Sequence, residues 1–510
     1  MSAVRSRLLT VIAAVAAAGL LLAASAVAAR PQALSAHQRS VLRGIARDTW
    51  RFYATDVDPG THLPLDNLGP GATRGTYTSA ANIGVYLWAV VAARDLGLIT
   101  TSRARQLAGS TLDEVSKLKR FDGFLYQWYD TANGRVLENP GQPDCTSTTP
   151  ATDNCWFLSA VDNGWYASGL VEVRQALPSL RATASRLLSA MNFSIFYDDR
   201  AQTDCNTNAD ITGNQPTGQM YGGYYVDQGP AGYHNGALYS DPRIAMYMGM
   251  GLHQMPGDVW WRTWRTLPPQ RCATDPDFSW QGQWPVPGYW QTYTDPQSGK
   301  RFNVWEGHYT YPGTSLTYVP TWAGGMFEGE MANLVVPETS WGTHSLGLDD
   351  VRWAQVQERY ATQTLHFPVW GLSPSSTADD SGGYGGYGVE GQALPAGEGL
   401  SQCTTCGTEG TVSPHASAIA LPVIPRMAYE NIEALRSRYP GVYSADGGFY
   451  DAVNPVTCAV GHRRLVLDQS MIMAALDNVL HDGAMQRYFA RDPVSWAARL
   501  YLSDETMSIG

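Results

Sequence analysis

The chain has 510 residues, with 35 Lys and Arg against 46 Asp and Glu and a formal charge of −11. Nucleic acids and polyanionic polysaccharides demand dense cationic surface, so this balance argues against both as partners. Charged residues make up 16% of the chain, whereas aromatics reach 11% with 17 Trp and 27 Tyr, a supply of flat faces and hydroxyls that suits sugar rings as well as a large aromatic core.

Arg5 and Arg7 open the chain, an almost wholly apolar run covers 8–24, and Ala26-Val27-Ala28 follows. This pattern predicts a secretory signal over 1–28, cleaved near Ala28, and an extracellular protein. A retained anchor is the alternative, but the run is at the short end for a bilayer and no later segment is apolar enough to span, so no stable membrane insertion is expected after cleavage. The rest, 29–510, is read as a single domain, and a monomer is expected.

Apolar positions then recur at helical spacing. Helices are predicted over 38–54, over 79–96 with Thr78 or Ser79 as cap and Gly97 as stop, and over 102–118, 162–176 and 180–191. The series continues at 241–251, with Pro242 in the first turn, and at 258–265, 324–335, 349–365, 413–423, 428–437, 468–480 and 483–490. About a dozen helices in hairpin-like pairs imply an all-α (α/α)6 toroid, with a two-domain helical bundle as the alternative. The connections over 280–318 and 384–410 are long, aromatic and Gly-rich, which marks them as functional loops lining a central cleft. Seven Cys fit an oxidising compartment. Cys145 and Cys155 flank a Thr/Pro-rich loop and are expected to bridge, and Cys403 and Cys406 are read as a second disulfide. Cys205, Cys272 and Cys458 then leave one thiol over.

Several blocks resemble the bacterial glycoamylase-like family, which includes endo-β-1,2-glucanases and the transglycosylating domain of cyclic β-1,2-glucan synthases. Thr78 to Gly84 is similar to its TSPTNIG-type opening, Gly123 to Thr131 to GFYYNWYDT, and Ser159 to Gly164 to STVDSGN. Ser240-Asp241-Pro242-Arg243 stands at SEAR, and Trp322 to Glu328 resembles WSGSMFE. Tyr384 to Gly391, Val412 to Leu421, Gly448 to Val453 and Asp468-Gln469 resemble its remaining motifs in order. The resemblance implies an (α/α)6 fold and hydrolase or transglycosylase action on β-linked glucans. Asp241 is one methylene shorter than the family glutamate, and Glu390 stands where the family has proline.

Glycoside hydrolysis needs one acid to protonate the leaving oxygen and a second carboxylate to activate water or attack the anomeric carbon. By resemblance, Asp241 and Glu328 are the expected catalytic pair; an N-cap is the plainer role for Asp241, and sugar binding for Glu328. Glu330, two positions on, falls on another helical face and is left structural. Expected substrate contacts are Asp162, Trp128, Trp165, Tyr233, Arg243, Trp322, Tyr387, Glu390, Asp451 and Asp468. Asp162 is placed to bind sugar hydroxyls or orient water, and either Asp451 or Asp468 to act as general base. Tyr129, Tyr247, Trp290, Trp305 and Tyr384 are further stacking candidates. The ten His are scattered without HExxH or paired spacing, so no metal and no cofactor is expected. A polysaccharide or oligosaccharide is the expected partner. A non-catalytic carbohydrate-binding protein and a polysaccharide lyase, suggested by Tyr233-His234-Asn235, are the competing readings.

Overall fold

A computed structural model describes residues 33–70, 73–146, 148–150, 155–199, 218–266, 286, 288–389 and 410–510. The expected signal, Glu390, and Cys205, Cys272, Cys403 and Cys406 lie outside the described residues. Fifteen α-helices are present among the described residues. In chain order they are α1 (Ala36–Asp56), α2 (Ala80–Asp95), α3 (Thr101–Val115), α4 (Ala160–Ala176), α5 (Arg181–Ser189), α6 (Arg243–Gly251), α7 (Asp258–Arg262) and α8 (Met326–Glu330), then α9 (Glu338–Trp341), α10 (Leu346–Arg359), α11 (Pro414–Ile419), α12 (Pro425–Arg438), α13 (Val466–Leu480), α14 (Ala484–Arg491) and α15 (Trp496–Asp504).

Two kinds of helix alternate. α2, α4 and α13 are buried around nearly their whole circumference, as all-round apolar helices must be. α1, α3, α10 and α12 bury one stripe and leave the other face to water. The buried set packs in succession: α2 on α4, α4 on α6, α8 on α11, α11 on α13, and α13 back on α2. The step from α6 to α8 is bridged by Arg243, which donates to the main-chain oxygens of Glu328 and Gly329. Outside this series, α1 lies on α13 and α2, α3 on α2, α5 on α4, α10 on α8, and α12 on α11.

Small residues set the inner spacing. A Cβ on Gly84 of α2 would stand 2.4 Å from the Trp165 carbonyl oxygen of α4, and one on Gly169 would stand 2.4 Å from the Gly84 oxygen. Helix starts follow local chemistry: Ser35 forms a capping box with Gln38 on α1, and Ser79 and Ser159 accept the amides of Asn82 and Asp162. The Cys145–Cys155 bridge is present, and Cys458 is free and exposed.

Part of the expected 280–318 loop is instead a β-hairpin, Gly288–Thr294 against Arg301–Gly307. Its turn is organised by Asp295, whose carboxylate accepts the amides of Gln297 and Ser298, and Trp261 and Tyr501 bond the same carboxylate from below. No helix among the described residues is long and apolar enough to cross a membrane.

Candidate active site

Asp241 stands immediately before α6. Its carboxylate makes no capping bond, because the helix start falls at Pro242 without a side-chain cap. Instead it accepts the Trp165 indole N–H from α4 at 3.3 Å and is hydrogen-bonded to the carboxyl group of Glu328 from α8. The Trp322–Gly324 turn aims Glu328, with Ala323 and Gly324 both in left-handed backbone at φ 61° and 69°, a conformation that a non-glycine residue holds only under strain. Val389 N–H bonds the Gly324 oxygen and so docks the 384–389 segment on this turn. Ser240 completes the pair by donating its hydroxyl to Glu328 Oε2 at 3.0 Å.

The pair opens on a cavity of about 310 Å³ walled by Val161, Tyr233, His234, Asn235, Ser240 and Trp322, at the small end of ligand sites. No Lys or Arg is among its described lining residues. Removal from water pushes Asp241 up, opposed by its bonds to Glu328 and Trp165 and by the Arg243 charge. Burial first, and then the Asp241 charge, hold Glu328 well above the usual carboxylate range. Two carboxyl groups in contact cannot both ionise, so the pair holds one proton between them.

Behind the pair lies a buried brace. Arg243 donates to both Glu338 oxygens at 2.8 and 2.7 Å and to the Ser240 oxygen at 2.9 Å, while Tyr247 donates to Glu338 Oε1 at 2.6 Å. Arg243 and Tyr247 are both fully buried. They are therefore not sugar contacts, as their sequence reading had them: salt-bridge and hydrogen-bond partners inside the ring take up their polar ends. Glu330 is buried beside Asp350 and Arg243, with neither carboxylate oxygen hydrogen-bonded. Tyr129 is likewise core, and Trp165, itself buried, reaches Asp241 through its indole N–H.

Asp162, half-buried in the first turn of α4, accepts Gln127 Nε2 at 3.1 Å. Burial raises it, with a smaller contribution from the Asp241 charge, yet it makes no bond to Asp241. Tyr233 and Trp322 wall the cavity, Trp128 packs edge-on to Tyr77, and Tyr387 lies half-buried against Gly385.

Asp451 and Asp468 are brought together, but with a residue that the sequence reading gave no role. His415 of α11 places Nδ1 3.2 Å from Asp468 Oδ2, and Asp451 and Asp468 are hydrogen-bonded to each other. Burial pushes Asp468 up to about 7 and His415 down to about 4. Ser373 joins this cluster to the first, its hydroxyl oxygen accepting Phe327 N–H and lying 2.9 Å from His415 Nε2. Tyr384 is 51% exposed as a whole residue, and its hydroxyl is held well above its ordinary range by local desolvation and by the charges of Asp468, Asp451, Glu328 and Asp66. Asp66, held by Asn67 and Asn82, and Ser373 carry no local sequence signal, and only folding puts them here, whereas Ser240 stands in the SEAR-like block without a role read for it.

Residues 294–493 match a family model described as "Putative glucoamylase", and residues 44–233 match one for a protein of unknown function. Over 157 residues, 30% of the chain, it is 31% identical to the cyclic β-(1,2)-glucan synthase NdvB of Rhizobium meliloti. The chain spans only 5% of the length of that relative. An endo-β-1,2-glucanase of Chitinophaga pinensis superposes with TM-score 0.63 at 16% identity, covering 92% of this chain and 99% of the other. A second endo-β-1,2-glucanase, from Talaromyces funiculosus, gives 0.60 at 11%, covering 92% and 91%. These likenesses establish the fold, a helical barrel, and the chain is similar to the glycoamylase-like family that its motifs resemble.

Proposed function

We propose that this glycoamylase-like chain is a glycoside hydrolase that cleaves a neutral β-linked glucan, with β-1,2-glucan the first substrate to test. The observation that carries the reading is the proton-sharing Asp241–Glu328 pair at the floor of a cavity walled by Tyr233 and Trp322. Because the two carboxyl groups bond directly, they cannot flank a glycosidic bond at the about 5–5.5 Å or 6.5–9.5 Å that the two hydrolytic geometries require. They act as one acid: the shared proton goes to the leaving glycosidic oxygen as its bond to the anomeric carbon breaks. Asp162, close enough to feel Asp241 but not bonded to it, takes a proton from the water whose oxygen attacks that carbon. The absence of Lys and Arg from the described lining counts against a uronate substrate and hence against a lyase.

The same reading takes the alternation of buried and amphipathic helices as an (α/α)6 toroid lined by aromatic loops. It also takes the protein as exported, with 1–28 removed, and as one domain over 29–510, monomeric. Arg39 of α1 donates to the Val479 and Leu480 oxygens at the end of α13, which supports one closed unit. The test is a screen of β-1,2-glucan, other glucans and wall arabinans, with product anomers followed by NMR, on the parent, Asp241→Asn and Glu328→Gln. Reducing sugar released by the parent and lost in both variants supports the assignment; full activity in both variants removes it.

A further inference from the structure

The cluster of His415, Asp451 and Asp468 does no work in the mechanism above. We propose that it is a binding site for one divalent transition cation of the Zn²⁺ or Mn²⁺ class. One ligand atom from each residue lies within 4.8 Å of the other two, and the three side chains are 1%, 2% and 1% exposed.

What sets this apart from an ordinary acidic cluster is where the hydrogen bonds go. His415 Nε2 is engaged by Ser373, and Asp451 Oδ2 accepts the Ser376 N–H at 2.6 Å. His415 Nδ1, Asp451 Oδ1 and Asp468 Oδ2 are bonded by no N–H or O–H group of the described residues, so apart from the bond between the two carboxyl groups nothing compensates them. Nδ1 and Asp468 Oδ2 face each other at 3.2 Å outside hydrogen-bonding geometry, an arrangement that suits two lone pairs directed at a common centre. With Nε2–H donating to Ser373, the tautomer leaves Nδ1 bare, the outer-shell orientation typical of metal-ligating histidines. Among the described residues no Lys or Arg forms an ion pair with either aspartate, so a cation would supply the compensation that buried charges require.

Metal–ligand bonds of about 2.0–2.2 Å hold ligand atoms up to about 4 Å apart, so the three atoms need draw in by less than about 1 Å. One imidazole with two carboxylates suits Zn²⁺ or Mn²⁺ better than Ca²⁺ or Mg²⁺, which favour all-oxygen shells. Three protein ligands leave a position open. The Tyr384 hydroxyl is within electrostatic reach of both aspartates and of Glu328.

The experiment uses the tag-free full chain, stripped with EDTA and dialysed, without glucan, so that it is independent of the hydrolase reading. Calorimetric titration with ZnCl2 and MnCl2 is expected to show one site per chain with Kd below about 10 µM for at least one of them. A rise in Tm with metal concentration should accompany it. His415→Gln and Asp468→Asn, confirmed as folded by circular dichroism, should weaken binding at least tenfold, while Asp241→Asn should retain it. If Asp468→Asn fails to fold, His415→Gln alone decides. No saturable binding, binding unchanged in His415→Gln, or tighter binding of CaCl2 or MgCl2 overturns the proposal: in those cases the aspartates share a proton and nothing more.

Discussion

Replacing Arg243 by methionine keeps the aliphatic stem and removes the guanidinium that ties α6 to α8. The loss can be sized from its contacts. Two bonds to Glu338 disappear, together with those to the main-chain oxygens of Ser240, Glu328 and Gly329. Glu338 is left fully buried with only the Tyr247 hydroxyl as partner. Removing one member of such a pair typically costs about 3–5 kcal/mol, because the other charge stays buried and uncompensated. Arg243→Met should therefore lower the unfolding free energy by that amount, read as a lower urea midpoint at unchanged m. Adding Glu338→Gln removes the stranded charge, and the double variant should recover about half of the loss, about 2 kcal/mol. The three main-chain oxygens flank Asp241 and Glu328, so glucan turnover in folded Arg243→Met should fall at least tenfold. An Arg243→Met protein within about 1 kcal/mol of the parent would refute the reasoning, since the pair could not then be holding buried charge.

Asp241→Asn should reduce kcat/KM on the glucan by about 10²- to 10⁴-fold, the usual range for an acid–base group. In the residual activity the alkaline limb should move to lower pH, because the Asp241 charge no longer raises Glu328; a limb that does not move argues against a shared proton. Asp162→Asn should remove the acid limb of the same profile, and an intact limb would take the base role from Asp162. Glu172, fully buried in α4 with neither oxygen hydrogen-bonded, is raised by burial and by Asp477, Asp492 and Asp95. A raised carboxyl contributes stability that is complete below its unfolded pKa of about 4.3 and is lost as pH rises through the folded value. Glu172→Gln should accordingly raise Tm more at pH 9 than at pH 5, and equal shifts would disprove the linkage. Gly84→Ala gains about 1 kcal/mol of helix propensity. Its Cβ, however, meets backbone that cannot yield, 2.4 Å from the Trp165 oxygen, and overpacking typically costs about 1–3 kcal/mol; a higher melting point than the parent would show that α2 and α4 can separate freely.

What the sequence made legible was local. The cap at Ser79, the stop at Gly97 and the starts of α4 and α6 all lie within two or three residues of their expected places, because each depends on neighbours along the chain. The missed hairpin at Gly288–Thr294 and Arg301–Gly307 is a weaker failure of the same reading. Its aromatic runs flank a DPQSGK turn, but composition alone marked the stretch as loop. α9 and α15 were missed for lack of length or of a cap.

The site separates differently. Asp241 and Glu328 were legible as partners through motif order, yet they were expected to straddle a sugar bond, and the structure has them touching. Their separation depends on how far α6 stands from α8, and that distance is set by Arg243 reaching across to main-chain oxygens on the second helix. An arginine that looks like a substrate contact in sequence thus brings two acids together in the fold. The same reasoning applies to His415. Its helix is six residues long, and its partners Asp451 and Asp468 come from a turn and from the next inner helix. No periodicity links the three, so only closure of the helical ring brings them into contact. Chemistry built across inner helices is therefore hidden from local pattern, and the buried, unpartnered atoms it leaves behind are its best structural signature.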